Sequence, residues 1–195
     1  MCHDREPVTA DDVDTAATAA VDVLSRAIDS DWNVLAGDLE WTCRLTAEHL
    51  ADDLIAYALQ VVGGDQQSYV PVQVTVEASA ESAGLLQAIG ASAGLLSAAV
   101  RTSPGGRRAW HPYGLADGES FAAIGVVEIL VHTYDLCEGF SLPWHPPPGM
   151  SDRVLRRLFP DAPGGEDEWP TLLWAAGRTG LGSRPRRTKW RWHNP

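Results

Sequence analysis

Between Phe121 and Cys137 the chain reads as a helix that is apolar on almost every side, and nothing else in it constrains the fold as tightly. At about 100° per residue, Ile124, Val127, Ile129, Leu130, Val131 and Tyr134 occupy most of its circumference. Such a helix has to be enclosed by other elements. Glu128, His132 and Asp135 fall together on the one narrow stripe that is left. An unpartnered charge inside a core costs several kcal/mol, so these side chains are expected to pair with one another or to bind a metal. The alternative is that the stripe is a solvent face. Solvent faces usually carry Lys, Arg or Gln, however, and from Ser120 to Cys137 there is no Lys, Arg, Asn or Gln.

Enclosing this helix requires others, and the chain supplies them. Thr9, followed by Asp11 and Asp12, is a helix start; Val13, Ala17, Ala20, Leu24 and Ile28 continue it at helical spacing. A polar connection through Trp32 and Trp41 leads to a second start, placed at Thr46 with Leu45 and Leu50 as a hydrophobic staple. That helix carries Leu54, Tyr57 and Val61 and stops at Gly63-Gly64. Residues 70–77 alternate with period two, but no partner strand is evident, so an extended connection is expected. A third helix begins near Ser79 and ends at Ser103-Pro-Gly-Gly; Asp117 caps the fourth. After Trp144-His-Pro-Pro-Pro-Gly come two short helical signals, Ser151 to Phe159 and Trp169 to Arg178. The expectation is an all-α fold: a four-helix bundle over residues 1–142, and a Pro-rich connection with a Trp/Arg-rich appendage packed on it over 143–195.

Charge sharpens this picture. The net charge of −11 hides a basic end, since Arg178 to Pro195 holds six basic residues and no acidic one. An acidic body disfavours nucleic acid. The tail's tryptophans are therefore expected to pack on the body while its arginines meet acidic neighbours. The chain has no run of 18 apolar residues and no apolar segment at its start, from which no membrane span and a cytoplasmic location are expected. Cys2, Cys43 and Cys137 form neither an even framework nor a CxxC motif, and read as reduced thiols.

Glu128 and His132, four residues apart, offer two ligands from one helix face. A catalytic zinc needs three protein ligands and one open position. Of the six histidines, His3 and His193 lie near the termini and His145 among prolines; His111 precedes the fourth helix, where it could line a pocket mouth. His49, at the edge of the second helix's core face, is the best third ligand, with Asp53 and Asp135 placed to orient imidazoles. Tyr57, His111 and Tyr134 are further pocket or proton-donor candidates. Arg101, Arg107 and Arg108 are candidates for a substrate carboxylate or, more simply, solvated loop charges.

The segment Trp41-Thr-Cys-Arg-Leu-Thr-Ala-Glu-His-Leu-Ala-Asp-Asp-Leu and the later Glu128-Ile-Leu-Val-His-Thr-Tyr-Asp-Leu together resemble the DinB-like superfamily. Within it the pattern is most similar to the metal-binding domain of mycothiol-dependent maleylpyruvate isomerases, over roughly residues 9–142. The resemblance implies an up-down-down-up four-helix bundle and a divalent metal, usually zinc, held by His49, Glu128 and His132. It also implies mycothiol or a similar small thiol acting on an electrophilic substrate. The characterised isomerases carry a further C-terminal domain, whereas residues 143–195 form a much shorter segment. Thiol-dependent transfer is therefore favoured over maleylpyruvate isomerisation itself. Two other readings of the same triad are a 2-His-1-carboxylate Fe(II) enzyme and a non-catalytic metal-binding bundle or interaction module.

Overall fold

The computed structural model describes residues 6–194; Cys2 and His3 lie outside them. The chain is mainly helical, with four long helices: α1 (Ala10–Leu24), α2 (Cys43–Gly63), α3 (Ser82–Thr102) and α4 (Gly118–Phe140). Two short helices follow, α5 (Met150–Leu158) and α6 (Glu168–Ala175). The long helices share one core, with α1 and α2 each packed against both α3 and α4. Leu24, Leu50, Leu54, Ile89, Leu96 and Ile124 are fully buried within it.

The helix starts follow their capping chemistry. Thr9 opens α1, its backbone N–H donating to Asp12 Oδ2 at 2.8 Å. Asp117 Oδ1 accepts the Ser120 N–H at 2.8 Å and fixes the start of α4. For α2 the cap is Thr42 rather than Thr46: Thr42 Oγ1 accepts the Leu45 N–H at 3.2 Å. Thr46 then lies inside the helix, returning its hydroxyl to the Thr42 carbonyl. Leu45 is half exposed and staples nothing, because the earlier start turns it away from the core. Likewise α3 starts at Ser82, after Glu81, instead of at Ser79.

Residues 70–76 form no strand, although their side chains alternate. Two of their backbone N–H groups are taken up by α2 side chains instead of by a sheet partner. Gln60, fully buried, accepts the Val70 N–H through Oε1 at 2.7 Å and donates Nε2 to the carbonyls of Ser68 and Trp110. Asp52 accepts the Val74 N–H at 2.8 Å. The only sheet among the described residues is a hairpin before α4, in which β1 (Arg108–Ala109) pairs antiparallel with β2 (Ala116–Asp117). Two residues per strand are too few to leave a periodic signal in the sequence.

At α4, residues 121–127 and 129–133 are buried, as the apolar circumference requires. Both α3 and α4 are long and apolar enough to cross a bilayer by composition, but α4 is enclosed by the other helices, as the core helix of a packed domain is. Gly139 near its end has no room for a side chain. A Cβ there would lie 2.5 Å from the Leu35 carbonyl oxygen and 2.7 Å from Cys43 Sγ, so the loop carrying Trp41 rests directly on α4.

The C-terminal segment packs on this frame through apolar and ionic contacts. Trp192 is buried and Arg157, also buried, bonds Asp117 and Ser120 at 2.7 Å each. Further out, Arg184 pairs with Glu166, Arg186 with Asp38 and Arg187 with Asp161, so arginines of the basic tail do meet acidic neighbours. Cys43 and Cys137 are buried free thiols, pushed up to about 11 and about 12 by burial and thus kept as packing groups.

Candidate metal centre

Helix α2 brings His49 against the stripe of α4, and one ligand atom from each of His49, Glu128 and His132 lies within 4.8 Å of the others. This group could hold a metal ion. The α4 half is buried, with the His132 and Glu128 side chains 8% and 12% exposed. The solvent-face alternative for the stripe is thereby excluded.

Each nitrogen of the His132 ring has a carboxylate: Asp135 Oδ2 at 3.1 Å from Nδ1, and Glu128 Oε2 at 3.1 Å from Nε2. Asp135 is itself held by Arg178 from the segment after α6. Nε of Arg178 donates to Oδ1 at 3.2 Å and its Nη2 to Oδ2 at 2.7 Å. This is a metal-type imidazole with its orienting carboxylate and a further cation behind it. Burial pushes the His132 imidazolium down, but the hydrogen bonds with Asp135 and Glu128 outweigh it and raise the group to about 9. Asp135 and Glu128 are correspondingly lowered, burial being overcome chiefly by their bonds to His132.

The α2 half is looser. His49 Nε2 lies 3.3 Å from Asp53 Oδ2, and burial together with the nearby His132 holds this imidazole below its ordinary value, hence neutral. Neutral imidazole is the form that binds metals. Asp53 rises well above the usual carboxylate range through burial and the adjacent Glu128. Tyr57 bridges the two carboxylates, its hydroxyl 3.4 Å from Asp53 Oδ2 and 3.4 Å from Glu128 Oε1. Burial and these carboxylates raise the phenol far enough that it keeps its proton and can donate it to either carboxylate.

A cavity of about 380 Å³ opens over these three side chains, walled by Leu39, Trp41, Val127, Val131, Ala176 and Trp190, with the charged Arg178 and Glu40 also in its lining. Trp41 sets its ring edge-on to His49 with centroids 4.9 Å apart. Trp41, Arg178 and Trp190 are the site residues that motif reading did not place. The sole hint was the density of tryptophan in the connection and in the tail.

Other sequence candidates fall away from the centre. His111 is buried rather than at a pocket mouth, because the hairpin folds it inward among Tyr57, Phe121 and Trp192. Its Nδ1 accepts the Tyr113 N–H at 3.2 Å and burial holds it neutral, down to about 4. His145 and His193 are exposed, and Tyr134 packs on Trp169. Arg101 is taken up by Asp11 and Asp14, and Arg107 by the Val62 carbonyl at the end of α2. Against family models, curated proteins and solved structures the chain has no match, so the functional argument rests on the geometry of this centre.

Proposed function

We propose that the chain is a divalent-metal protein of DinB-like architecture, an up-down-down-up bundle whose His49, Glu128 and His132 hold zinc and whose reaction is a transfer or isomerisation dependent on a small thiol such as mycothiol. The observation that carries this reading is the convergence of two imidazoles and one carboxylate, all within 4.8 Å, beneath an open cavity. Three protein ligands with space for a fourth are the pattern of a catalytic rather than a closed structural site. The donor set also fits chemically, because one imidazole is oriented by a carboxylate and the other is held neutral.

A divalent cation in this position would favour the thiolate form of a thiol entering the cavity at neutral pH. The remaining work falls to the protein. Asp135, braced by Arg178, fixes the His132 ring so that Nε2 faces Glu128. Tyr57 steadies the Glu128 carboxylate from below and holds a proton at its hydroxyl. The apolar walls lower the polarity around the reacting groups, which strengthens electrostatic interactions inside. The resemblance to the isomerase metal domain supports the thiol.

The test is spectroscopic. Cobalt substituted for zinc should give a low-symmetry visible spectrum, and mycothiol should add a sulfur-to-metal band that fades as pH falls, since protons compete for the thiolate. A thiol that binds equally well to metal-free protein would refute the thiol role, and a protein that takes up no cobalt would refute the metal centre.

A further inference from the structure

The walls of the cavity say more about its occupant than the ligand triad does. Two indoles from opposite ends of the chain line the same space, Trp41 from the connection before α2 and Trp190 from the tail. Both are held in place. The Trp41 carbonyl accepts the Ala36 N–H at 2.9 Å, and the flanking Thr42 pairs with Leu35 in an isolated bridge. Trp190 stacks near Trp192, with centroids 5.6 Å apart, and lies against Gly177, where a Cβ would meet its ring at 2.7 Å. Gly177 takes φ +70, so glycine serves both the turn and the close approach. Trp41 is nevertheless 44% exposed, a large apolar surface kept at the rim of a cavity.

Charge limits the occupant from the other side. Arg178 is the only guanidinium among the described lining residues, and its charge is already paired: Nε and Nη2 bond Asp135, and Nη1 bonds the Ala176 carbonyl at 3.0 Å. Glu40 adds a negative charge to the lining. A ligand bearing a carboxylate away from the metal would therefore find no unpaired cation among the described lining residues, and would meet the like charge of Glu40.

We propose that the cavity binds a molecule with one metal-seeking head and a flat, apolar, preferably aromatic body, carrying no second negative charge, and that Trp41 and Trp190 determine this specificity. The inference rests on the metal centre proposed above and names the class of ligand whose head takes that metal's open position in competition with the thiol. Aromatic contacts with two indoles, added to the area buried, supply about 1.5 kcal/mol, equivalent to about tenfold in affinity.

A hydroxamate series separates body from head, because the metal-binding group stays constant. Acetohydroxamate, benzohydroxamate and succinic monohydroxamate are titrated into the cobalt-substituted full chain, followed by the visible spectrum and by tryptophan fluorescence. Benzohydroxamate should bind about tenfold tighter than acetohydroxamate, and the carboxylate-bearing compound more weakly than either. The ratio of phenyl to methyl affinity should fall towards one in Trp190→Leu and in Trp41→Ala. Should Trp190→Leu fail to fold, Trp41→Ala, in an exposed loop, carries the same test. Cobalt uptake with tightest binding of succinic monohydroxamate, or a phenyl preference that survives both substitutions, overturns this proposal and leaves the metal centre standing. Absence of cobalt uptake overturns both.

Discussion

On α4, His132 is buried with a carboxylate against each ring nitrogen, and one of these is anchored in turn by Arg178; on α2, the His49 side chain is 34% exposed and has one carboxylate, Asp53, at 3.3 Å. The two halves of the centre therefore differ in freedom. The α4 half is a preformed claw, its orientation settled before any ligand arrives. The α2 half is held by one carboxylate and by the rings of Trp41 and His132, so it is the less constrained member of the site. A buried pair of this kind is expensive to assemble, and the tail provides part of the compensation. Residues well outside the four long helices thus help to fix the geometry of a ligand inside them.

If this contrast is right, ligand deletions are unequal. His132→Ala should have the largest effect, exceeding the roughly 10–100-fold loss typical of removing an outer partner, because it deletes a fixed ligand and strands two carboxylates. His49→Ala should also weaken zinc, yet less than His132→Ala; competition with a chromophoric chelator ranks the two. The reverse ranking would place the rigid anchor on α2.

Next comes the brace itself. Arg178→Gln leaves Asp135 buried with His132 as its sole partner. It should lower zinc affinity by about tenfold, the lower end of the range for outer-shell partners. It should also destabilise the metal-free protein by about 3 kcal/mol, the lower end of the cost of breaking a buried pair. Chemical denaturation without metal and chelator competition with it check the two effects separately.

The pH dependence distinguishes the halves again. His132 is raised from an ordinary imidazole value to about 9 by its two carboxylates. Its contribution to stability is complete below the unfolded value of about 6.5 and is lost as pH rises through about 9. Glu128 and Asp135 are lowered, so their contributions hold above the ordinary carboxylate range and are lost as pH falls through their folded values. Metal-free protein should therefore lose stability between pH 7 and 9. Zinc binding at pH 7 should release about one proton, from His132 rather than from the already neutral His49. Calorimetry in buffers of different ionisation enthalpy measures that proton, and no release would contradict the assignment.

The smallest effect concerns the end of α4. Ser141 is the only non-glycine residue with positive φ among those described, at 55°, where a side chain is strained. Ser141→Gly should stabilise the protein by about 0.5–1 kcal/mol, after subtracting glycine's greater unfolded-state entropy, without changing metal affinity.

How much of this could be read from residues alone follows the physics of each element. The long helices were legible because their apolar periodicity persists over many turns, and α4 most of all because it is apolar nearly all round. Helix starts were less so: Thr42 and Thr46 are both good caps, and only the packing of the preceding loop on Gly139 selects the first. The lone alternating run over 70–77 is legible as an extended segment without a sheet partner, but that Gln60 and Asp52 take the Val70 and Val74 N–H groups is a tertiary fact. In the site, Glu128, His132 and Asp135 announced themselves as charges in an apolar helix. His49 was legible only as the best remaining imidazole, and its nearness to the others is a result of packing. Arg178 and Trp190 sit in a tail whose composition suggests surface contacts in general, and no local pattern ties them to α4. His111 is illegible for the converse reason, since a loop histidine gives no sign that a hairpin of two-residue strands buries it.

The claim on which all of this depends is that the three side chains hold one divalent ion. Equilibrium dialysis against zinc, with the wild-type chain, His132→Ala and His111→Ala in parallel, tests it most directly. The account predicts close to one zinc per chain for wild type and for His111→Ala, and almost none for His132→Ala at the same free zinc. Equal zinc in wild type and His132→Ala would contradict it.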